Sequence, residues 1–116
     1  MYQIREVELR NGSQYKKRLV IEFNDSKMQI VGEFLMADAP IIGGQILKDI
    51  DNVLEGKRDF IESSGNRTHL IIGPEYTKIE DLFDFVEEVS KYPTFDIKTK
   101  MLRELIIMWF AELNKK

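Results

Sequence analysis

The chain has 116 residues, 43% of them hydrophobic, with no cysteine, a single histidine and a formal net charge of -3. This length fits one domain, residues 1–116, and its core needs neither a metal nor a disulfide to fold. The lack of cysteine excludes thiol nucleophiles and thiolate zinc sites, and the negative charge argues against nucleic acid as a partner. We expect a cytoplasmic protein without cofactor or membrane contact, because no segment has the pattern of a membrane span or a signal peptide.

The N-terminal part predicts a β-meander. Residues 2–10 and 15–23 are rich in β-branched and aromatic side chains, and Asn11-Gly12 between them suits a type I′ hairpin turn. A bulge is expected near Arg5 or Glu6, because the apolar alternation changes phase there. A third strand is expected over residues 27–34, after a cluster of turn residues.

A helix is expected over residues 39–55. Asp38 is positioned to cap it, Pro40 fits its first turn, and Gly56 provides the left-handed stop. Gly43-Gly44 weakens such a helix by roughly 1 kcal/mol per glycine relative to alanine. We therefore expect the two glycines to mark a close approach between this helix and the sheet.

A second meander follows. Strands are expected over residues 58–63, 67–72 and 76–80, and Gly65 is expected to take a positive φ in the first turn. Residues 81–92 suit either a short helix, which we favour, or a strand. Thr99 is predicted to cap a C-terminal helix over residues 100–114. The fold class is α+β, with an antiparallel sheet of five to six strands in two meanders and two main helices packed on one face.

No motif for catalysis, cofactor binding or metal binding is present. His69 lies in a predicted strand without a neighbouring Ser, Cys or second His in its motif, so an ordinary strand residue is the stronger interpretation and a catalytic role the weaker one. Ser63 and Ser64 precede a strand-to-strand turn, whereas a nucleophile elbow needs a strand-to-helix turn. We expect turn chemistry there and no enzymatic activity.

An acidic segment is the best candidate for a binding site. Between residues 75 and 88 six acidic side chains stand against one lysine, which indicates either a solvated face or a docking surface for a basic protein. Asn66 and Arg67, at a predicted loop tip, are secondary candidates for polar contacts. The predicted partner-binding residues are Glu75, Glu80, Asp81, Asp84, Glu87, Glu88, Asn66 and Arg67.

The order of elements and several short motifs resemble small bacterial immunity proteins of polymorphic toxin systems, including contact-dependent growth inhibition. The motifs are Val53-Leu54-Glu55-Gly56-Lys57, Phe60-Ile61-Glu62, Ser64-Gly65-Asn66, Leu70 with Ile72, Thr77-Lys78-Ile79-Glu80-Asp81-Leu82-Phe83, and the Leu/Trp-rich last helix. The resemblance implies a protein without enzymatic activity that binds a cognate toxin domain, often a nuclease, and blocks its active site. An acidic surface would suit such a basic toxin domain.

A different class of function is the alternative. The C-terminal helix is apolar nearly all round, which indicates either burial or an interface. If this helix is an interface, we expect the chain to be a small regulatory or adaptor protein that forms a homodimer through it.

Overall fold

The computed structural model describes residues 1–85 and 92–115, apart from the side chains of residues 84 and 85. Over these residues the protein is α+β, with six strands in two antiparallel sheets and three helices. The elements are β1 (Tyr2–Asn11), β2 (Gln14–Phe23), α1 (Ser26–Ile42), α2 (Gln45–Leu54), β3 (Ile61–Ser64), β4 (Thr68–Ile72), β5 (Tyr76–Asp81), β6 (Phe95–Lys98) and α3 (Thr99–Asn114). The predicted α+β class is confirmed. The predicted arrangement of one sheet and two helices is wrong, because the strands form two sheets and the described residues include a third helix.

The first sheet is the hairpin of β1 and β2. Its register runs without interruption from Tyr2 opposite Phe23 to Asn11 opposite Gln14, so the expected bulge is absent from the described pairing. The turn lies at Gly12-Ser13, one residue later than predicted. Only Gly12 has a positive φ there (66°), which matches a type II′ turn and not the expected type I′.

The predicted third strand is wrong, because residues 26–42 are helical. Helix α1 begins with a 3-10 turn (Ser26–Met28), continues as α-helix, and widens to a π-helix over Phe34–Asp38. The side chain of Asp25 accepts a hydrogen bond from the backbone N–H of Lys27 and caps this start. What looked like a turn cluster is therefore a helix cap.

The expected continuous helix over residues 39–55 is broken at Gly43-Gly44. Helices α1 and α2 meet there at 106°, and Gly43 has a φ of 68°. A Cβ on either glycine would meet no atom within 4 Å, so these glycines permit a bend and do not mark a close approach to the sheet. The stop at Gly56, with a φ of 79°, is confirmed.

Within the described ranges, no single helix has the length and apolar composition of a membrane span; only α1 and α2 taken together across their bend reach it.

The second sheet has the strand order β3-β4-β5-β6. Strand β4 alternates, with Thr68, Leu70 and Ile72 buried towards the helices and the two residues between them half-buried on the opposite side. Strand β6 was not foreseen, because four residues carry too little alternation to identify a strand. We call the side that points away from helices α1, α2 and α3 the outer face; it includes Glu62, His69, Ile71, Lys78, Glu80 and Asp96.

Helix α3 packs its apolar stripe into the core. Leu102, Leu105, Ile106 and Trp109 are buried at helical spacing and contact the inner side of the sheet and helix α2. The prediction that Thr99 caps this helix is wrong, because its hydroxyl donates to the carbonyl of Gly73 (2.6 Å). The remaining core side chains are Ile21, Phe23, Met28, Ile30, Val31, Phe34, Leu35, Ala39, Ile46, Ile50, Val53, Leu70, Ile72, Ile79 and Ile97.

Candidate functional site

The turn between β3 and β4 is held by a carboxylate from another part of the chain. Asp38, at the end of the π-helical segment, is only 1% exposed. Its two oxygens accept hydrogen bonds from the backbone N–H groups of Asn66 (2.7 Å), Arg67 (3.1 Å) and Thr68 (2.7 Å) and from the Thr68 hydroxyl (2.6 Å). Asp38 therefore caps a β-turn and not the helix that follows it.

Gly65 is required by this carboxylate. A Cβ on Gly65 would lie 2.2 Å from the Cγ of Asp38, a distance that no side chain tolerates. The predicted positive φ is absent, since the described glycines with positive φ are Gly12, Gly43 and Gly56. The glycine is thus explained by close approach and not by backbone handedness.

Arg67 and Asp81 form an ion pair at the end of the sheet. Arg67 Nη2 lies 3.1 Å from Asp81 Oδ2, with side-chain exposures of 15% and 0%. The guanidinium carbon of Arg67 also lies 4.2 Å from the ring centroid of Phe83 and 5.3 Å from that of Tyr92. Such stacking adds to the ion pair and keeps Arg67 in place.

The Asp81 carboxylate is fully engaged. Burial acts to raise the pKa of Asp81, but hydrogen bonds from the backbone N–H groups of Tyr92 and Phe83, together with the Arg67 guanidinium, outweigh it and hold the pKa below its ordinary value of 3.8. Asp81 stays ionised at neutral pH and binds within its own chain. We therefore assign Asp81 and Arg67 a structural role.

Of the predicted contact residues that the structure describes, Arg67 and Asp81 form the internal ion pair, whereas Asn66, Glu75 and Glu80 lie at different places on the sheet. Asn66 is exposed at the β3–β4 turn, while Glu75 is exposed in the β4–β5 turn, in a surface depression that also contains Lys98 and Lys100. Glu80 is half-buried on the outer face. Glu87 and Glu88 lie outside the described residues, as does the side chain of Asp84.

The outer face carries acidic side chains that the sequence interpretation passed over. The pairing register places Glu62 of β3, Ile71 of β4, Lys78 of β5 and Asp96 of β6 in one row across the sheet. Glu80 belongs to the neighbouring row. Four strands at about 4.8 Å spacing extend this row over roughly 14 Å.

His69 has neighbours that were not expected. Its Nδ1 contacts the hydroxyl of Ser64, and its Nε2 lies 3.2 Å from Glu62 Oε1. The expectation of no nearby serine is therefore wrong, because the register sets Ser64 directly opposite His69. A hydrolase would also need a cleft and oxyanion donors, whereas these side chains stand on the outer face as cross-strand polar contacts.

A groove lies between the hairpin and the helices, which we call the arm groove. Its volume is about 630 Å³, and it is lined by Glu6, Lys17, Arg18, Leu19, Met36, Pro40, Trp109 and Leu113. Residues 8–18, the outer part of the hairpin, are exposed throughout and are called the arm. The arm carries four basic residues and one acidic residue, a net charge of +3, so the rest of the chain carries -6.

Comparison with protein-family models, curated proteins and solved structures gives no significant match.

The features that organise the site depend on contacts far apart in sequence. Asp38 and the β3–β4 turn are about 30 residues apart, and no local pattern connects them. The row of side chains on the outer face could be recognised only from the pairing register of the four strands. One local signal was not used: the alternation in residues 76–81 sets Glu80 and Asp81 on opposite sides of β5, whereas the predicted strand ended at residue 80 and both side chains were assigned to one acidic surface.

Proposed function

We propose that this protein is a non-enzymatic immunity protein that binds and neutralises a cognate basic toxin domain, with a nuclease as the favoured activity. The contact surface is the outer face of the four-stranded sheet. Glu80 was already a predicted contact residue. Asp81 is buried, so we leave it out of the contact surface and add Glu62 and Asp96. Glu75 lies at the margin of this surface.

Three carboxylates from three strands, Glu62, Glu80 and Asp96, occupy the sheet face that points away from helices α1 to α3, and this arrangement supports the proposal most strongly. Among the described residues Lys78 lies in the same row as Glu62 and Asp96, and Lys98 of β6 is a second lysine on this face. A rigid sheet presents charges in a fixed pattern, which favours orientation of a basic partner and faster encounter. A nuclease domain is such a partner, because its active site must attract phosphate.

The test uses a toxin domain encoded beside this gene. Coexpression should restore the growth of sensitive cells, and the purified proteins should associate rapidly at low salt. The triple variant Glu62→Lys, Glu80→Lys, Asp96→Lys should slow association at least tenfold at low salt, because steering contributes factors of 10 or more to the rate constant.

The matched control reverses three exposed carboxylates away from the outer face: Glu55→Lys, Asp59→Lys and Glu104→Lys. Its net charge is the same, so only the location differs. Equal rates for both triple variants would reject the outer face as the contact surface. A wild-type protein that gives no protection against the adjacent toxin would reject the immunity function itself.

Self-association remains a second candidate because of one observation. Helix α3 exposes Met101 and Ile107, and Ile41 of helix α1 is 71% exposed. Exposed apolar side chains are available for an interface with a second copy of the chain. In this adaptor function, sedimentation velocity should detect a dimer that Ile107→Glu dissociates and Leu9→Glu, on the arm, does not.

A further inference from the structure

His69 is the only histidine of the chain, and it lies between two glutamates on the outer face. Its Nε2 lies 3.2 Å from Oε1 of Glu62 on β3, and the pairing register sets Glu80 of β5 directly opposite it. Its side chain is 25% exposed, so a docked partner can approach it. The proposed contact surface therefore contains a side chain of the type that commonly changes charge between pH 5 and 8.

Both ring nitrogens of His69 have partners in either protonation state. The ionised carboxylate of Glu62 only accepts hydrogen bonds, so Nε2 carries a hydrogen, and Nδ1 of the neutral ring then accepts from the hydroxyl of Ser64. When Nδ1 gains a proton it becomes a donor, and the Ser64 oxygen accepts because a hydroxyl hydrogen rotates to suit its neighbours. Protonation therefore changes the charge of the ring without breaking either contact.

The charges around His69 are close to balance. Earlier in the chain, next to β4, the guanidinium of Arg67 is occupied by its ion pair with Asp81. Among the described residues, the outer face carries three carboxylates and two lysines, which are Glu62, Glu80, Asp96, Lys78 and Lys98. The net charge of this face is therefore -1 when the imidazole is neutral, and a single proton on His69 removes it.

We propose that protonation of His69 weakens the binding of a basic toxin domain to the outer face, so that the complex is tight at neutral pH and weaker in acid. This inference rests on the proposed function, because it concerns the same surface and the same partner. A cation docked between Glu62 and Glu80 repels an imidazolium beside it. A partner that prefers the neutral ring must release a proton when it binds the protonated protein, so its affinity increases with pH.

The test compares the dissociation constant of the toxin domain encoded beside this gene at pH 8 and at pH 5.5, in low salt. Between these values the wild type should lose at least about threefold more affinity than His69→Gln, since a unit charge about 6 Å from another changes an equilibrium by that factor even at the dielectric constant of water. Titration of the toxin itself is common to both proteins and cancels in the comparison. Asp81 stays ionised at both pH values, because its pKa lies below 3.8, so its ion pair is unaffected.

The matched control moves the histidine. The double variant His69→Gln, Gln45→His places it at an exposed position at the start of helix α2, away from the outer face. The chain then has the same titratable groups as the wild type, and only the location of one differs, so this variant should behave like His69→Gln. Calorimetry at pH 6 in two buffers of different ionisation enthalpy should show more proton release on binding for the wild type than for either variant.

Two results would overturn the inference while the immunity function stands. The first is tight binding at pH 8 with an equal loss of affinity in acid for the wild type and His69→Gln. The second is a pH dependence of the double variant that equals that of the wild type, since the position of the histidine would then be irrelevant. Failure of all three proteins to bind the toxin at pH 8 would instead reject the proposed function, and this inference with it.

Circular dichroism at both pH values checks that each protein is folded.

Discussion

Gly65 and Asp38 form a mutually dependent pair of residues. Gly65→Ala should lower the free energy of unfolding by about 2 kcal/mol or more, because the new Cβ collides with the buried carboxylate. Urea denaturation measures this change. The matched control is Gly44→Ala, where a Cβ meets no atom within 4 Å and little change is expected.

A double-mutant cycle separates the collision from other effects of alanine. In an Asp38→Ala background the collision partner is gone, so Gly65→Ala should cost less than about 1 kcal/mol. Additive losses would mean that Gly65 serves some other purpose, such as backbone freedom.

Asp81 makes the free energy of unfolding depend on pH in the acidic range. Its pKa is lower in the folded protein than its ordinary value of 3.8, so its contribution to stability is fully present well above pH 3.8 and is lost as the pH falls through the folded-state pKa. Asp81→Asn should reduce the free energy of unfolding by about 3 kcal/mol at pH 7, since it leaves Arg67 buried without its counter-charge.

The difference between wild type and Asp81→Asn should shrink as the pH falls through the folded-state pKa of Asp81, which lies below 3.8, because the carboxyl of the folded wild type is protonated only there. Asp96→Asn removes an exposed carboxylate and serves as the control, with a change below about 0.5 kcal/mol at pH 7. A difference for Asp81→Asn that is independent of pH would contradict the assigned ion pair.

Among the elements, the hairpin combines two regions of very different stability. Its inner part contributes Ile21 and Phe23 to the core, whereas Leu9 and Tyr15 on the arm are exposed. A two-stranded ribbon without a covering layer is only marginally stable. The packing of Ile21 and Phe23 in the core therefore anchors the hairpin, and the arm extends from this anchored part.

Truncation at the two ends of the hairpin should differ strongly. Ile21→Ala should lower the free energy of unfolding by 2 kcal/mol or more, about the loss expected for a buried isoleucine, and Leu9→Ala should stay within about 0.5 kcal/mol of the wild type. Hydrogen exchange should be fast for the amides of the arm and slow near Ile21. Comparable losses for both variants would show that the arm packs against the body.

The sequence identified those elements whose signals are local. The first hairpin, strands β3 to β5 and helix α3 follow from alternation, turn residues and helical periodicity. Residues 26–38 of helix α1 were missed although Met28, Val31 and Leu35 lie at helical spacing, because Asn24 to Ser26 fits a turn as well as a cap. The contact between Asp38 and the β3–β4 turn had no local signal at all.

The molecule as a whole separates its charges. The arm carries +3 and the remainder -6, so the basic toxin domain that we propose as partner would be attracted by the body and repelled by the arm. Arg10→Gln with Lys16→Gln should therefore accelerate association a few-fold at low salt, opposite to the effect of reversing the outer face. The gain should disappear at high ionic strength, where the Debye length falls to about 3 Å.

The contact of Asp38 with three successive amides also concerns the order of folding. The β3–β4 turn relies on a residue 28 to 30 positions earlier in the chain, so its backbone donors are satisfied only after helix α1 has docked. Closing a loop of this length costs chain entropy before its contacts form, so we expect strands β3 and β4 to pair late on the folding pathway. We therefore expect the second sheet to acquire its register only after helix α1 has docked.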